Sequence, residues 1–191
     1  LDISITTVMD ALSHSLEAIW NKSANNTSTD FAISAICSIL RNVENLKQTP
    51  FDLSIRNKLL NASTVSGLAF SNTTTAAAHS ISYPLTIHYG IPHGVASSIG
   101  LIPLLEINGE FIKDPLNKIC NNLELTYDKL KQMIKTIPQG VIPYTLDAWG
   151  IPEDQLPKLV DESFTKGRMN NNIVDLKTDD VLMILKELYS N

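Results

Sequence analysis

Asp10 and His14 stand four residues apart in a segment of helical periodicity. At this spacing both side chains project from one helix face, about one turn apart, which suits chelation of one metal ion. A structural interpretation competes with this one. Thr7 and Asp10 have the spacing of a capping box, and His14 would then be a histidine of the core. For the pair alone the structural interpretation is favoured, because short matches of this kind are common.

A second cluster changes that balance. His79 and His93 lie on consecutive apolar segments joined by a tight turn, so two facing helices would aim both imidazoles at one point. Gly94 beside His93 leaves room for a ligand or a neighbouring backbone. Buried polar groups need partners, and one shared metal ion would satisfy all of them. A metal site shared by Asp10, His14, His79 and His93 is therefore a stronger hypothesis than the first pair alone supports.

Three other residues with reactive side chains are placed outside this site. His88 follows His79 by nine residues, about half a turn out of phase on an ideal helix, and is predicted to be a loop or surface residue. Cys37 and Cys120 lie in apolar helical patterns without a Cys-x-x-Cys spacing. They are predicted to be buried thiols in a reducing compartment.

The elements that position these residues are predicted to be helices. Asp52 and Thr178 are the expected N-caps of the third and the last helix, and Pro84 is expected to end or kink the fourth. No segment alternates with period two, and no glycine-rich loop joins a strand to a helix. The prediction is one all-α, bundle-like domain over 1–191. Apolar residues at three- and four-residue steps place helices near 7–20, 29–46, 52–70, 73–87, 93–107, 116–123, 127–137, 154–166 and 179–189.

The composition limits which partners and which cellular location can be expected. The chain has 191 residues, 43% of them hydrophobic, which is enough for one sizeable core. A net charge of -5 without a basic run argues against nucleic acid as a partner. Neither a signal peptide nor a membrane span is recognisable, so the cytoplasm is the expected location. The chain starts at Leu1 without methionine and enters a helix within a few residues, as a fragment would.

Two motifs resemble one enzyme family. Residues 10–18 (DALSHSLEA) resemble the Asp-Ala-Leu-x-His-x-x-Glu-Ala signature of the iron-containing (group III) alcohol dehydrogenases. Residues 67–72, continuing through His79 to the sequence at 92–94, resemble the second signature of that family, including the spacing between its two histidines. The end of the chain, from Arg168 to Asn172 and the helix after it, is also similar to the C-terminus of the family.

The resemblance implies a two-domain enzyme that interconverts an alcohol and an aldehyde or ketone by hydride transfer. An N-terminal α/β domain would bind NAD(P), and an all-helical C-terminal domain would supply one Asp and three His to Fe²⁺, which polarises the substrate oxygen. This chain would be the helical domain without its NAD(P)-binding partner, and incomplete as a catalyst. A small alcohol or aldehyde is the implied substrate, and a homodimer is one expected assembly. The family's ligands fall on Asp10, His14, His79 and His93.

The chain departs from the family at Tyr83, where many members carry a histidine four residues after His79. Tyr83 either lines the active site and bonds the substrate, or packs before a proline kink. A phenol with a pKa near 10 shuttles protons less well than imidazole at pH 7. Residues 73–84 are similar to the phosphonoacetaldehyde reductase branch of the family. Their hydroxyl groups either serve an anionic substrate or cap a helix.

Other metals and other functions fit parts of this pattern. Ligation by histidine and carboxylate accepts Zn²⁺, Ni²⁺ or Mn²⁺ as well as Fe²⁺, and the order of affinity favours zinc over iron. Fe²⁺ is chosen from the resemblance. The alternatives are a zinc-dependent polyol dehydrogenase, a dehydroquinate synthase-like enzyme, or a helical interaction module without metal.

Overall fold

The structure, a computed structural model, describes residues 1–189. This range contains no β-strand, only an isolated bridge between Asn21 and Asn172, so the prediction of an all-α fold is confirmed. Short 3-10 turns separate some of the helices. The α-helices of the described range are α1 (Asp2–Ile19), α2 (Asn26–Gln48), α3 (Leu53–Ser71), α4 (Ala77–Tyr89), α5 (His93–Ala96), α6 (Leu101–Asn108), α7 (Lys113–Leu123), α8 (Tyr127–Thr136), α9 (Leu156–Ser163) and α10 (Thr178–Glu187).

Helix α1 lies at the centre of the fold and packs against α2, α3, α4 and α5. Met9 and Ser13 are buried as well as the predicted apolar stripe, so α1 is covered on more than one side. A helix that is buried around most of its circumference belongs to the core. Polar residues on α1 therefore need partners inside the protein. The predicted stripe is buried throughout, at Val8, Ala11, Leu12, Leu16, Ile19 and Trp20.

The start of α1 excludes the capping-box interpretation of Asp10. The helix begins at Asp2, five residues earlier than the periodicity predicted, so Thr7 and Asp10 lie in its interior. Thr7 donates its hydroxyl to the carbonyl of Ile3 at 3.0 Å, as a threonine inside a helix does. The carboxylate of Asp10 is consequently free for a tertiary role.

One of the two predicted caps is confirmed and the other is wrong. Asp52 caps α3, because its carboxylate accepts from the amide of Ser54 at 2.8 Å. Thr178 is instead the first residue of α10. Lys177 holds the N-cap position, and its amide donates to Asp180 at 2.8 Å. A carboxylate three residues ahead thus replaces the expected threonine cap.

The turn between α4 and α5 sets the distance between the two histidine-bearing helices. Pro84 does not end α4, which continues to Tyr89 and closes at Gly90 with φ of 66°. This left-handed conformation favours glycine. The predicted helix 93–107 is divided by turns at 97–100. Ser98 donates its hydroxyl to the carbonyl of Gly94 at 2.6 Å, a local bond that competes with helix continuation.

Gly94 allows α5 to touch the backbone of α1. A Cβ atom at this position would lie 2.0 Å from the carbonyl oxygen of Thr6 and 3.2 Å from the Cβ of Asp10. Atoms at such distances overlap, so the expectation of a close backbone approach at Gly94 is confirmed. The contact holds His93, on α5, near Asp10, on α1.

Gly94→Ala is expected to destabilise the protein by about 1–3 kcal/mol, because the added methyl group must push α5 away from α1. Gly67→Ala is the matched control. No atom lies within 4 Å of a Cβ at Gly67, which is inside α3, so alanine there should stabilise the helix by about 0.5–1 kcal/mol. Urea denaturation of both variants measures the difference. Equal midpoints would contradict the close contact between the helices.

The structure also tests the predictions for the longest apolar run and for the two cysteines. The run His93–Leu123 has the length and composition of a membrane span, but 67% of its most apolar window is buried inside the fold, as in a core helix. Both cysteines are free thiols on helices. Cys37 is buried as predicted. For Cys120 the prediction was wrong: it is half-buried and faces a surface groove that Tyr127 and Lys131 also line.

Candidate metal centre

The structure brings four predicted ligands from three helices to one place. Asp10 and His14 come from α1, His79 from α4 and His93 from α5. Ligand atoms of Asp10, His14 and His79 all lie within 4.8 Å of one another. His93 stands at the open side of this group, with 43% of its side chain exposed and its ring centroid 5.2 Å from that of His79.

The spacing between the ligand atoms fits a shared ion better than it fits hydrogen bonds. Nε2 of His79 and Nε2 of His93 each lie 3.6 Å from Oδ1 of Asp10, and Nδ1 of His14 lies 4.0 Å from Oδ2. These distances are too long for good hydrogen bonds. Two donors on one tetrahedral ion, each at 2.0–2.2 Å from it, are separated by ~3.4 Å. The donor set therefore fits a divalent metal.

The orientation of His79 points to the same conclusion. Its Nδ1 lies 2.6 Å from Oε2 of Glu17, and its backbone amide donates to Oε1 of Glu17 at 3.1 Å. The carboxylate holds the proton on Nδ1, which leaves the lone pair on Nε2. That Nε2 is buried and has no hydrogen-bond partner among the described residues. A metal ion is the partner that such a nitrogen lacks.

Glu17 is the functional residue that sequence reasoning missed. Glu17 belongs to the motif at 10–18, but the sequence analysis assigned it no role. The signal was present, because Glu17 lies seven residues after Asp10 and so on nearly the same face of α1. The glutamate is completely buried. A carboxylate in such a place requires a partner of opposite charge or strong donors, and His79 provides both.

A serine relay fixes the carboxylate of Asp10. Ser97 donates its hydroxyl to Oδ1 of Asp10 at 3.0 Å. Ser13, on α1, donates in turn to the carbonyl of Ser97 at 2.7 Å. Both serines are fully buried. Because these two bonds tie the turn after α5 to α1 at Asp10 and at Ser13, they limit how far Asp10 and His93 can separate.

Two aromatic rings enclose the imidazole of His14. Its ring stacks on Phe70 at 4.5 Å between centroids and on His79 at 4.6 Å, with interplanar angles of 13° and 6°. Burial among these groups lowers the pKa of His14, more than Asp10 raises it. Neutral imidazole is the form that binds a metal. His14 is thus ready to act as a ligand at neutral pH.

Carboxylates dominate the electrostatics of His79. Burial lowers the pKa of His79, but the hydrogen bond to Glu17 and the carboxylate of Asp10, 3.6 Å away, outweigh burial and raise the pKa to about 9. For Asp10, burial raises the pKa, whereas the close imidazole of His79 and the charges of His14 and His93 lower it overall. Without metal, the site at neutral pH therefore holds a proton on His79 between two carboxylates.

This proton makes metal affinity depend on pH. A metal binds only neutral His79, so below a pKa of about 9 each ion must displace a proton. Affinity is expected to rise roughly tenfold per pH unit from 7 to about 9, and then to level off. Chelator competition with Zn²⁺, corrected for the protonation of the chelator, measures the slope. A flat profile between pH 7 and 9 would contradict the assignment of His79 as a ligand.

The other predicted residues lie at the edge of the site or away from it. The ring of Tyr83 is 6.5 Å from that of His93, so the phenol borders the open side. That it is catalytic stays a prediction. His88 lies near the end of α4, half exposed, and contacts Glu162 at 2.5 Å. The prediction of a surface position for His88 is confirmed.

Two of the hydroxyl groups in residues 73–84 are used inside the fold. Ser80 donates to the carbonyl of Ser163, and Ser82 donates to that of His79. Both serines are fully buried. They do not cap α4 either, because its N-cap is Ala76, which has no polar side chain. Both explanations offered for this cluster were therefore wrong for Ser80 and Ser82, whose hydroxyls join helices internally.

Comparison with known proteins places this arrangement in one family. The sequence model of the "Fe-containing alcohol dehydrogenase family, C-terminal" matches residues 4–189. The chain belongs to this family, and it corresponds to the C-terminal domain.

Relatives and solved structures agree with this placement. Long-chain-alcohol dehydrogenase 1 of Geobacillus thermodenitrificans is 28% identical over 178 residues, covering 87% of this chain and 45% of the relative. A solved 1,3-propanediol oxidoreductase superposes with a TM-score of 0.88 at 25% identity, covering 96% of this chain and 51% of that one. Sulfoacetaldehyde reductase of Bifidobacterium kashiwanohense, solved with NAD⁺, gives 0.87 at 26% identity, covering 100% and 51%. The chain thus spans about half the length of these proteins. Its assignment to the phosphonoacetaldehyde reductase branch stays a prediction.

Proposed function

We propose that this chain is the metal-binding half of an NAD(P)-dependent oxidoreductase that interconverts an alcohol with an aldehyde or ketone. The ligands of its metal would be Asp10, His14, His79 and His93. The observation that carries the proposal is the buried Nε2 of His79, which has no hydrogen-bond partner among the described residues and lies 3.6 Å from Asp10. Membership of an alcohol dehydrogenase family supports the type of reaction.

The metal and the protein have separate tasks in this proposal. A bound divalent ion supplies Lewis acidity, which stabilises negative charge on the substrate oxygen by several kcal/mol. Glu17 holds the proton on Nδ1 of His79 and keeps Nε2 available. Ser97 restrains Asp10. His93 and Tyr83 border the open side of the site, from which a substrate would approach.

Membership of the family supports our proposal for the metal and for the source of the hydride. Fe²⁺ is proposed because the family is named for iron, although the same donors accept Zn²⁺ and other divalent ions. NAD(P) is assigned to the half of the relatives that this chain does not match; one solved neighbour contains NAD⁺. A small alcohol or aldehyde is the proposed substrate. The homodimer and the cytoplasmic location stay predictions.

Metal stripping and reloading of the full-length protein that contains this chain tests the proposal. We expect an aldehyde to be reduced with NADH or NADPH after anaerobic loading with Fe²⁺ or Zn²⁺, and the activity to disappear with a chelator. A site is reversible if a chelator removes the metal and added metal restores both the occupancy and the activity. Less than about 0.1 metal per chain after loading would instead favour the helical interaction module. Bound metal with activity only on glycerol would favour the polyol dehydrogenase.

A further inference from the structure

Arg168 brings a positive charge to the open side of the metal centre. Its guanidinium carbon lies 4.5 Å from the centroid of the Tyr83 ring. Tyr83 is in turn the aromatic neighbour of His93, with 6.5 Å between the two centroids. The guanidinium is therefore one ring away from the exposed ligand. No other arginine or lysine among the described residues has a cation–π contact with a ring that borders the site.

The donors of Arg168 are available to a ligand. A guanidinium that stacks on an aromatic ring uses its flat face and leaves its N–H groups, which lie in its plane, free to donate. Among the described residues, no carboxylate lies within 4.0 Å of Arg168, and no protein acceptor takes a hydrogen bond from its side chain. Arg41 and Arg56, by contrast, each donate to a backbone carbonyl.

The segment that carries Arg168 is held in place by two asparagines that follow it, Asn171 and Asn172. The side-chain amide of Asn171 donates to the carbonyls of Thr75 and Gly167 at 2.8 and 2.7 Å. Asn172 is fully buried and exchanges amide hydrogen bonds with Asn108 at 2.9 and 3.1 Å. The backbone around Arg168 is thus fastened to the start of α4 and to α6. A cation that is positioned in this way suits binding of a specific group rather than general attraction.

We propose that Arg168 binds an oxyanion group at the far end of the substrate, and that the substrate is a short aldehyde or alcohol carrying such a group. The inference rests on the proposed function, because the carbonyl end would face the metal ligands while the anionic end meets Arg168. The two carboxylates, Asp10 and Glu17, offset the charge of a bound divalent ion, so the metal centre offers an anionic group no net attraction. An anionic substrate therefore needs a local cation, and Arg168 provides a planar fork that matches an oxyanion.

Tyr83 receives a defined role in this arrangement. Its ring is the platform that orients the guanidinium, so it acts through Arg168 as a positioning residue. This role requires the aromatic face and not the hydroxyl. Tyr83→Phe should accordingly keep the preference for an anionic aldehyde. If the phenol acted as a proton donor, the same variant would lose turnover on anionic and neutral aldehydes alike.

The test compares matched substrates on the full-length, metal-loaded protein. Succinic semialdehyde carries a carboxylate, 3-phosphonopropanal carries a phosphonate, and butanal is the neutral reference. The measured quantity is kcat/KM for each anionic aldehyde divided by that for butanal. Arg168→Gln is expected to lower this ratio about 10- to 100-fold for the preferred anion, mainly through KM. The two anionic aldehydes distinguish a carboxylate from a phosphonate as the bound group.

Two further variants guard against a purely structural explanation. Arg56→Gln removes the same charge at a position that bonds only a backbone carbonyl, and should leave the ratio within about twofold. Arg168→Lys keeps the charge without the fork and should fall between wild type and Arg168→Gln. An unchanged ratio in Arg168→Gln would overturn the proposal. So would a wild-type protein that prefers butanal.

A binding measurement separates failure of this inference from failure of the proposed function. Calorimetric titration with succinate needs no turnover, and Arg168→Gln should weaken binding at least about 10-fold. If no aldehyde is reduced but succinate binding still depends on Arg168, the proposed reaction is wrong and the anion site stands. If butanal is reduced but neither the ratio nor succinate binding changes in the variant, the reaction stands and the anion site is wrong.

Discussion

Replacing His79 with alanine is expected to reduce metal affinity by about 100-fold or more. Binding of a structural zinc ion by four ligands is worth roughly 10–16 kcal/mol, so losing one ligand forfeits on the order of a quarter of that energy. His79 is also the only ligand whose ring is fully buried, and its Nε2 faces Asp10.

His88→Ala is the matched control for this experiment. His88 lies on the same helix, but its ring is half exposed and contacts Glu162. It should bind metal as wild type does. Elemental analysis after loading with Zn²⁺, together with competition against a chelator, measures stoichiometry and affinity for both variants. If His79→Ala and the wild type bind equally well, His79 is not a ligand and the proposed metal centre fails.

Periodicity and motif spacing were enough to predict most of this architecture. The stripe from Val8 to Trp20 identified α1, because a helix of the core must bury its apolar face. The spacing of Asp10 and His14 placed both side chains on one face. Their convergence with His79 and His93 was predicted only after a family resemblance was added, since the order of residues along a chain does not fix how helices cross.

Local signals failed where tertiary contacts outweighed them. Pro84 was expected to end or kink α4, and only the first of these is excluded: α4 continues past it to Tyr89, because one missing hydrogen bond costs less than exposing a packed helix. Thr178 is a good capping residue, but the carboxylate of Asp180 already satisfies the amide at the start of α10. The division of 93–107 also depends on hydroxyl bonds that periodicity does not report.

Contacts between distant segments were beyond the reach of sequence reasoning. Arg168 meets Tyr83 only because Asn171 and Asn172 fasten the C-terminal segment to α4 and α6. The sequence around Arg168 contains no pattern that predicts its contact with Tyr83. The same holds for Ser97, whose hydroxyl reaches Asp10 across the fold. The residues that converge at the candidate metal centre were thus easier to predict than the groups that orient them.

Glu17→Gln tests whether orientation of His79 matters as much as its presence. The carboxylate accepts from both the backbone amide and Nδ1 of His79. An amide offers one acceptor oxygen, so its NH₂ group would face one of these donors. Loss of such an outer partner typically costs 10–100-fold in metal affinity, and we expect a reduction of about this size. The metal-free protein should also lose ~1–3 kcal/mol of stability, because a buried hydrogen bond to a charged group is removed.

The pH dependence separates orientation from general damage. Glu17 is one of the groups that raise the pKa of His79 to about 9, so its neutralisation should lower that pKa. Less proton competition then remains between pH 7 and 9, and metal affinity should rise less steeply with pH than in the wild type. Glu44→Gln is the control, because Glu44 is exposed on α2 and its one ion pair within residues 1–189 is with Lys47. If Glu17→Gln keeps the metal affinity of the wild type and the same increase of affinity with pH, Glu17 does not position His79. If the variant binds metal more weakly but shows the same increase with pH, the substitution has distorted the site instead.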